Sequence, residues 1–146
     1  MIFDLISKQI IYYNIDLNSF LVVTSFLDIA HIHNFGISFG FFSGIFSPWI
    51  FILVGLILTG VILYMLMKST NHMEKWGFTA IIAGALSNIA DRTLNGYVID
   101  FIYFHYKDFF WPAFNFADIY ITIGVLIILY QIFKEFKKRI KNNVSN

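Results

Sequence analysis

The chain has 146 residues, 58% of them hydrophobic and only 13% charged, and its mean hydropathy is +0.71. That charge content is about half the usual ~25%, which excludes an ordinary soluble domain and points to one small integral membrane domain over residues 1–146. A formal net charge of +1 carries no signature of a nucleic-acid partner, and the lack of cysteine excludes disulfides, thiolate metal sites and a cysteine nucleophile.

Met1–Tyr13 is apolar but carries Asp4 and Lys8. At about 1.5 Å per residue it reaches about 20 Å, short of the ~30 Å hydrocarbon core, so it reads as the outer end of a span. It has neither the basic start nor the small-residue cleavage site of a secretory signal. In Asn14–Ser47, the β-branched run Phe20–Thr24 and the alternation His31–Gly36 predict short strands, broken by Gly36, Gly40 and Gly44, at the membrane surface. Ser47-Pro48 is a helix start, and Trp49–Met67 then runs without a charge for long enough to span. Lys68–Lys75 reads as a polar loop and Trp76–Ala90 as the next apolar helix. On that helix Gly77, Ala80, Gly84, Ser87, Asn88 and Asp91 recur at three- and four-residue spacings, so small residues and polar groups share one face. Phe101–Phe116 holds nine aromatics in 16 residues, a density that suits the membrane–water interface and reads as a loop that could act as a flap. Phe116–Phe133 is the last span. The basic residues after it, Lys134, Lys137, Lys138, Arg139 and Lys141, set the C-terminus on the cytoplasmic side. Counting back, Asp91, Asp100 and Asp118 all fall at the outer end of the bundle.

An Asp at the centre of a membrane helix costs roughly 2.5–3.5 kcal/mol on insertion scales, so intramembrane acids are functional candidates. Two carboxylates in one partly dry site share a proton, and such a dyad can activate water with one group while the other protonates an amide carbonyl. Asp118 sits just inside a helix start, where the macrodipole favours its ionised form. From the residues alone, Asp91 and Asp100 both stand as its partner; the adjacent Arg92 would more readily commit Asp91 to a structural pair. Three other chemistries compete. Gly36-Ile37-Ser38-Phe39-Gly40 matches G-x-S-x-G, which offers a serine-type intramembrane peptidase built on Ser38, although no His falls within the three charge-poor runs. Membrane acids also serve transporters and proton relays, but a relay distributes them through the membrane depth. His31-x-His33, with Asp28 nearby, could pair two imidazoles on one strand face; the plainer reading is surface histidines, and no metal or other cofactor is expected.

Asp4-Leu5-Ile6-Ser7-Lys8, Asn34 through Gly40, Gly84 through Arg92, Gly96-Tyr97-Val98-Ile99-Asp100-Phe101 and Phe114-Asn115-Phe116-Ala117-Asp118 together resemble, in order and spacing, the conserved blocks of bacterial lipoprotein signal peptidase (signal peptidase II). The resemblance implies an all-α, four-span bundle of the inner membrane with a small β-rich outer platform. It implies an aspartic endopeptidase that removes signal peptides from diacylglyceryl-modified prolipoproteins, cutting before the lipidated cysteine. By the same match the catalytic dyad is Asp100 and Asp118, with Asn34, Gly36, Asn88, Asp91, Arg92, Asn115, Ala117, Asp4 and Lys8 supporting the site or the substrate. The expected partners are lipidated prolipoproteins and membrane lipid, and the expected state is a monomer. Two features depart from the family pattern. Only three residues precede Asp4, so a short first helix is expected, and Ser38 stands where a small apolar residue is usual.

Overall fold

The structure, a computed structural model, describes residues 1–37, 42 and 44–144. Ser38 and Gly40, on which the serine-peptidase reading depends, lie outside the described residues. Along the chain run α1 (Ile2–Asn14), β1 (Phe20–Val22), β2 (Leu27–Asn34), α2 (Pro48–Lys68), α3 (His72–Asn95), β3 (Val98–Tyr106), β4 (Phe109–Phe110) and α4 (Phe116–Val144). Among the described residues, two stretches are long and apolar enough to cross a membrane: Pro48–Lys68, with mean hydropathy 2.7, and Phe116–Asn143, with 2.0. The other two helices do not meet that test. α1 has 13 residues, and α3 carries Glu74, Lys75, Asp91 and Arg92.

Many large apolar side chains are exposed while several polar and charged ones are buried. In α2 only Ile52 is buried, while Leu53, Ile57, Leu58 and Val61 are exposed. The buried set instead includes Asp4, Lys8, Ser87, Asp91, Asp100, Asn115 and Gln131. This inversion suits lipid as the outer solvent, because hydrocarbon does not drive apolar side chains inward.

α3 begins before the expected Trp76. Asn71 caps it, its Oδ1 accepting from the backbone N–H of Met73 at 2.8 Å and of Glu74 at 3.4 Å, and Glu74 adds a negative charge to the first turn. A hydropathy run begins only after such capping residues, so the expected loop shrinks. α3 ends at Gly96, whose φ of +82° is the left-handed turn that glycine adopts without strain, and Asp100 follows four residues later. The small-residue face holds α3 against α4 at backbone contact. A Cβ on Gly84 would strike the carbonyl oxygen of Ala117, and one on Gly77 would lie 3.0 Å from that of Gly124.

The four strands form one antiparallel sheet in the order β1-β2-β3-β4. Half of the segment expected as an aromatic loop is thus strand. Apolar and aromatic residues on both faces of Val98–Tyr106 hide the two-residue alternation that would have marked it. The sheet platform is therefore built from both interhelical segments, not from Asn14–Ser47 alone. The β2–β3 register shifts between Ile29, opposite Ile102, and Ile32, opposite Asp100, so β2 carries one extra residue there. Ile11 of α1 closes onto Ile99 and Phe101 of β3, which fixes the sheet over the helix ends.

Candidate active site

The two acids singled out in the sequence arrive by different routes. Asp100 sits on β3, buried, opposite Ile32 and beside Asn34. Asp118 sits in the first turn of α4, held by a reciprocal cap: its backbone N–H donates to Asn115 Oδ1 at 3.0 Å, and its Oδ2 accepts from the Asn115 backbone N–H at 3.2 Å. Both line one groove of about 470 Å³ together with Asn34, Trp111 and Thr122. Both also line a second hollow of about 280 Å³ on the α2–α3 side, with Phe51, Asn88 and Arg92. The acid pair therefore forms a wall between two apolar hollows.

Every carboxylate oxygen of the pair accepts from an amide. Asp100 Oδ1 accepts from Asn115 Nδ2 at 2.7 Å and Oδ2 from Asn34 Nδ2 at 2.9 Å. Asp118 Oδ1 accepts from Asn88 Nδ2 at 2.9 Å. The three asparagines cannot flip freely, because each Oδ1 is engaged by a donor: Gly36 N–H on Asn34 at 2.9 Å, Lys8 Nζ on Asn88 at 2.8 Å, and Asp118 N–H on Asn115. Burial, and then the charge of Asp118, push the carboxyl of Asp100 up to about 7.

Beneath this pair lies a second polar cluster. Lys8 Nζ lies 2.7 Å from Asp4 Oδ2 and 2.8 Å from Asp91 Oδ2, all three side chains being at most 4% exposed. Ser87 Oγ donates to Asp4 Oδ2 at 2.7 Å, and the backbone N–H of Ala117 donates to Asp4 Oδ1 at 2.8 Å. Asp91 is thus a structural ion-pair member, but its partner is Lys8 from α1 and not the neighbouring Arg92. Arg92 instead donates to the carbonyl of Gly36, tying the loop after β2 to α3. All eleven expected site residues therefore belong to one connected network. Sequence reasoning missed Ser87 as a link; its place on the face of Gly84 and Asn88 was the available signal.

Known proteins resemble this chain over most of its length. A family model described as signal peptidase (SPase) II matches residues 1–134. The lipoprotein signal peptidase of Pseudoalteromonas atlantica is 34% identical over 99% of this chain and 87% of its own length. That of Thermodesulfovibrio yellowstonii is 38% identical over 92% and 90%. A bacterial membrane enzyme solved by the in meso method at 2.3 Å resolution superposes with a TM-score of 0.86 at 31% identity, covering 94% of this chain and 84% of that one. The chain belongs to the signal peptidase II family of membrane aspartic peptidases.

Proposed function

We propose that this protein removes signal peptides from diacylglyceryl-modified prolipoproteins by hydrolysing the peptide bond before the lipidated cysteine, with Asp100 and Asp118 as the catalytic pair. The observation that carries this reading is the set of amide donors on both carboxylates at the wall of an open groove. Amides orient carboxylates without neutralising them, so the pair retains a place for one shared proton.

Asp118 is the base in this reading, since the N-terminus of α4 favours its negative form. It takes a proton from a water between the two acids. The resulting hydroxide attacks the scissile carbonyl carbon while Asp100, protonated near neutral pH, gives its proton to the carbonyl oxygen. The tetrahedral intermediate then collapses: Asp118 passes its proton to the leaving nitrogen, the C–N bond breaks, and Asp100 recovers a proton from the collapsing diol. The signal peptide leaves as a carboxylic acid and the lipidated cysteine as a free amine. The apolar lining of the two hollows suits the lipid and the flanking apolar residues. We place the bundle in the inner membrane as a monomer of four spans and a single domain, with the C-terminus cytoplasmic and the acids near the outer face.

The test is gel-shift processing of a diacylglyceryl-modified prolipoprotein by purified protein in detergent. Asp100→Asn and Asp118→Asn should each stop cleavage while leaving expression intact, since Asn keeps the shape but cannot exchange the proton. Normal cleavage by both variants would refute the dyad.

A further inference from the structure

Away from the acid pair, β2 presents His31 and His33 two residues apart on one strand face, with their Nε2 atoms 3.0 Å from each other. The second ring nitrogen of His31 is committed: Nδ1 lies 2.7 Å from the carbonyl oxygen of Ile15, so it must carry the proton, which leaves a lone pair on Nε2. His33 is held by stacking on Tyr97, with ring centroids 3.6 Å apart and planes at 17°. Tyr12 packs edge-on against His31. His31 is buried and His33 half-buried, so any ligand reaches the pair from the His33 side.

We propose that His31 and His33 form a binding site for a divalent transition-metal ion of tetragonal preference, copper(II) or nickel(II), with both Nε2 atoms as adjacent ligands and water completing the coordination. Metal-bound imidazoles typically donate their other ring N–H to a carbonyl or carboxylate, which fixes tautomer and orientation, and His31 already does so to Ile15. The spacing selects the geometry. Two nitrogens 3.0 Å apart, each at a typical ~2.0–2.1 Å from an ion, subtend about 90–97° at it. That is the angle between neighbouring ligands of a square-planar or octahedral ion, and it falls short of the tetrahedral angle that zinc prefers. The ion replaces the one proton now shared between the rings. Among the described residues no cluster of three or more His, Asp or Glu is arranged to hold a metal, so this is a two-nitrogen site. His33 directly precedes Asn34, the donor to Asp100, so an occupied site would abut the acid pair without contributing to it.

The test titrates chelator-stripped protein in detergent with copper(II) sulfate and reads the electron paramagnetic resonance signal, whose nitrogen splitting counts the imidazoles bound. One copper with two equivalent nitrogens is expected in the wild type. His33→Phe preserves the stack on Tyr97 but removes the ligand. Affinity should then fall by at least roughly tenfold, since losing even an outer partner of a metal ligand commonly costs ~10–100-fold. His72→Asn, on the far end of the bundle, should bind as the wild type. Equal affinity in His33→Phe and the wild type, or a wild-type signal with a single nitrogen, would overturn the assignment. Because binding is read directly, the result is independent of whether the protein cleaves prolipoproteins.

Discussion

Two pairs of acids lie within a few turns of each other, and their surroundings differ in one respect. Asp4 and Asp91 meet a cation: Lys8 stands between them, bonded to both. Asp100 and Asp118 meet amides instead, from Asn34, Asn88, Asn115 and the start of α4. Lys8 ties its two neighbours into a buried ion-pair cluster that crosses from α1 to α3, an arrangement suited to holding the helices together. Amides orient but do not neutralise, so in the upper pair a proton can stay, and acid–base work is open to it. Asn88 joins the two regions, its oxygen on Lys8 and its nitrogen on Asp118.

That contrast can be broken at several points. The largest effect is expected from the upper pair, where Asp100→Asn or Asp118→Asn forfeits the acid–base step, worth roughly 10²–10⁴ in rate. Cleavage should vanish while the melting temperature in detergent changes little. The lower pair should behave in the opposite way. Lys8→Met leaves two buried carboxylates without their cation, and breaking a buried ion pair typically costs about 3–5 kcal/mol. Thermal unfolding should then be lowered and expression poor, and any protein that survives should retain slow cleavage. A fully stable but inactive Lys8→Met would erase the division of labour. Asn34→Ala removes one donor from Asp100 and should cost about 1–3 kcal/mol in transition-state stabilisation, read as a lowered kcat with little change in KM.

The pH dependence sharpens the comparison further. The carboxyl of Asp100 titrates at about 7 when folded, against an ordinary value of 3.8, so the folded state holds this proton through the range where the unfolded chain has lost it. The stability that the proton contributes is fully present below about pH 4 and is lost as pH rises through about 7. Cleavage should fall along the same upper limb, about tenfold per unit above 7, as both acids become charged. A flat rate from pH 6 to 9 in single-turnover assays would contradict a protonated Asp100. The smallest effect is expected at Trp111, on the groove wall between β4 and α4. Trp111→Ala should raise KM for a lipidated substrate a fewfold and leave kcat nearly unchanged.

The contrast between the two pairs was only half legible in the chain. Glycines and polar groups at helical spacing along α3 announced both the tight α3–α4 seam and the polar end of that face, because a three- and four-residue period is local information. The partner of Asp91 was not local. Arg92, next to it in sequence, looked the readier mate, but adjacent residues on a helix point apart, and Lys8 comes from a helix more than 80 residues away. The sheet was half hidden for a related reason. β2 alternated visibly, whereas β3 is apolar on both faces and its aromatic richness looked like an interfacial loop. The resemblance named the asparagines as supporting residues, but which amide end faces which neighbour lay beyond sequence. That is settled only when Lys8, Gly36 and Asp118 come into place.

The extra residue in β2 bears on which genetic changes this protein can absorb. Strand side chains alternate between faces, so shifting register by one turns every later side chain over. Beyond the shift, Ile32 lies opposite Asp100 and Asn34 reaches its carboxylate. Deleting one codon between Ile29 and Ile32 would remove only the extra residue and leave Ile32 opposite Asp100, whereas deleting the one codon between Ile32 and Asn34 would turn Asn34 away, and the Asp100 carboxylate would lose a donor. Drift beyond the shift should therefore proceed by replacement, with side chains exchanged freely at exposed positions, while the count of residues from Ile32 to Asn34 stays constant. A library of single-codon deletions scored for prolipoprotein processing would display this as a sharp gap over a segment where point substitutions survive.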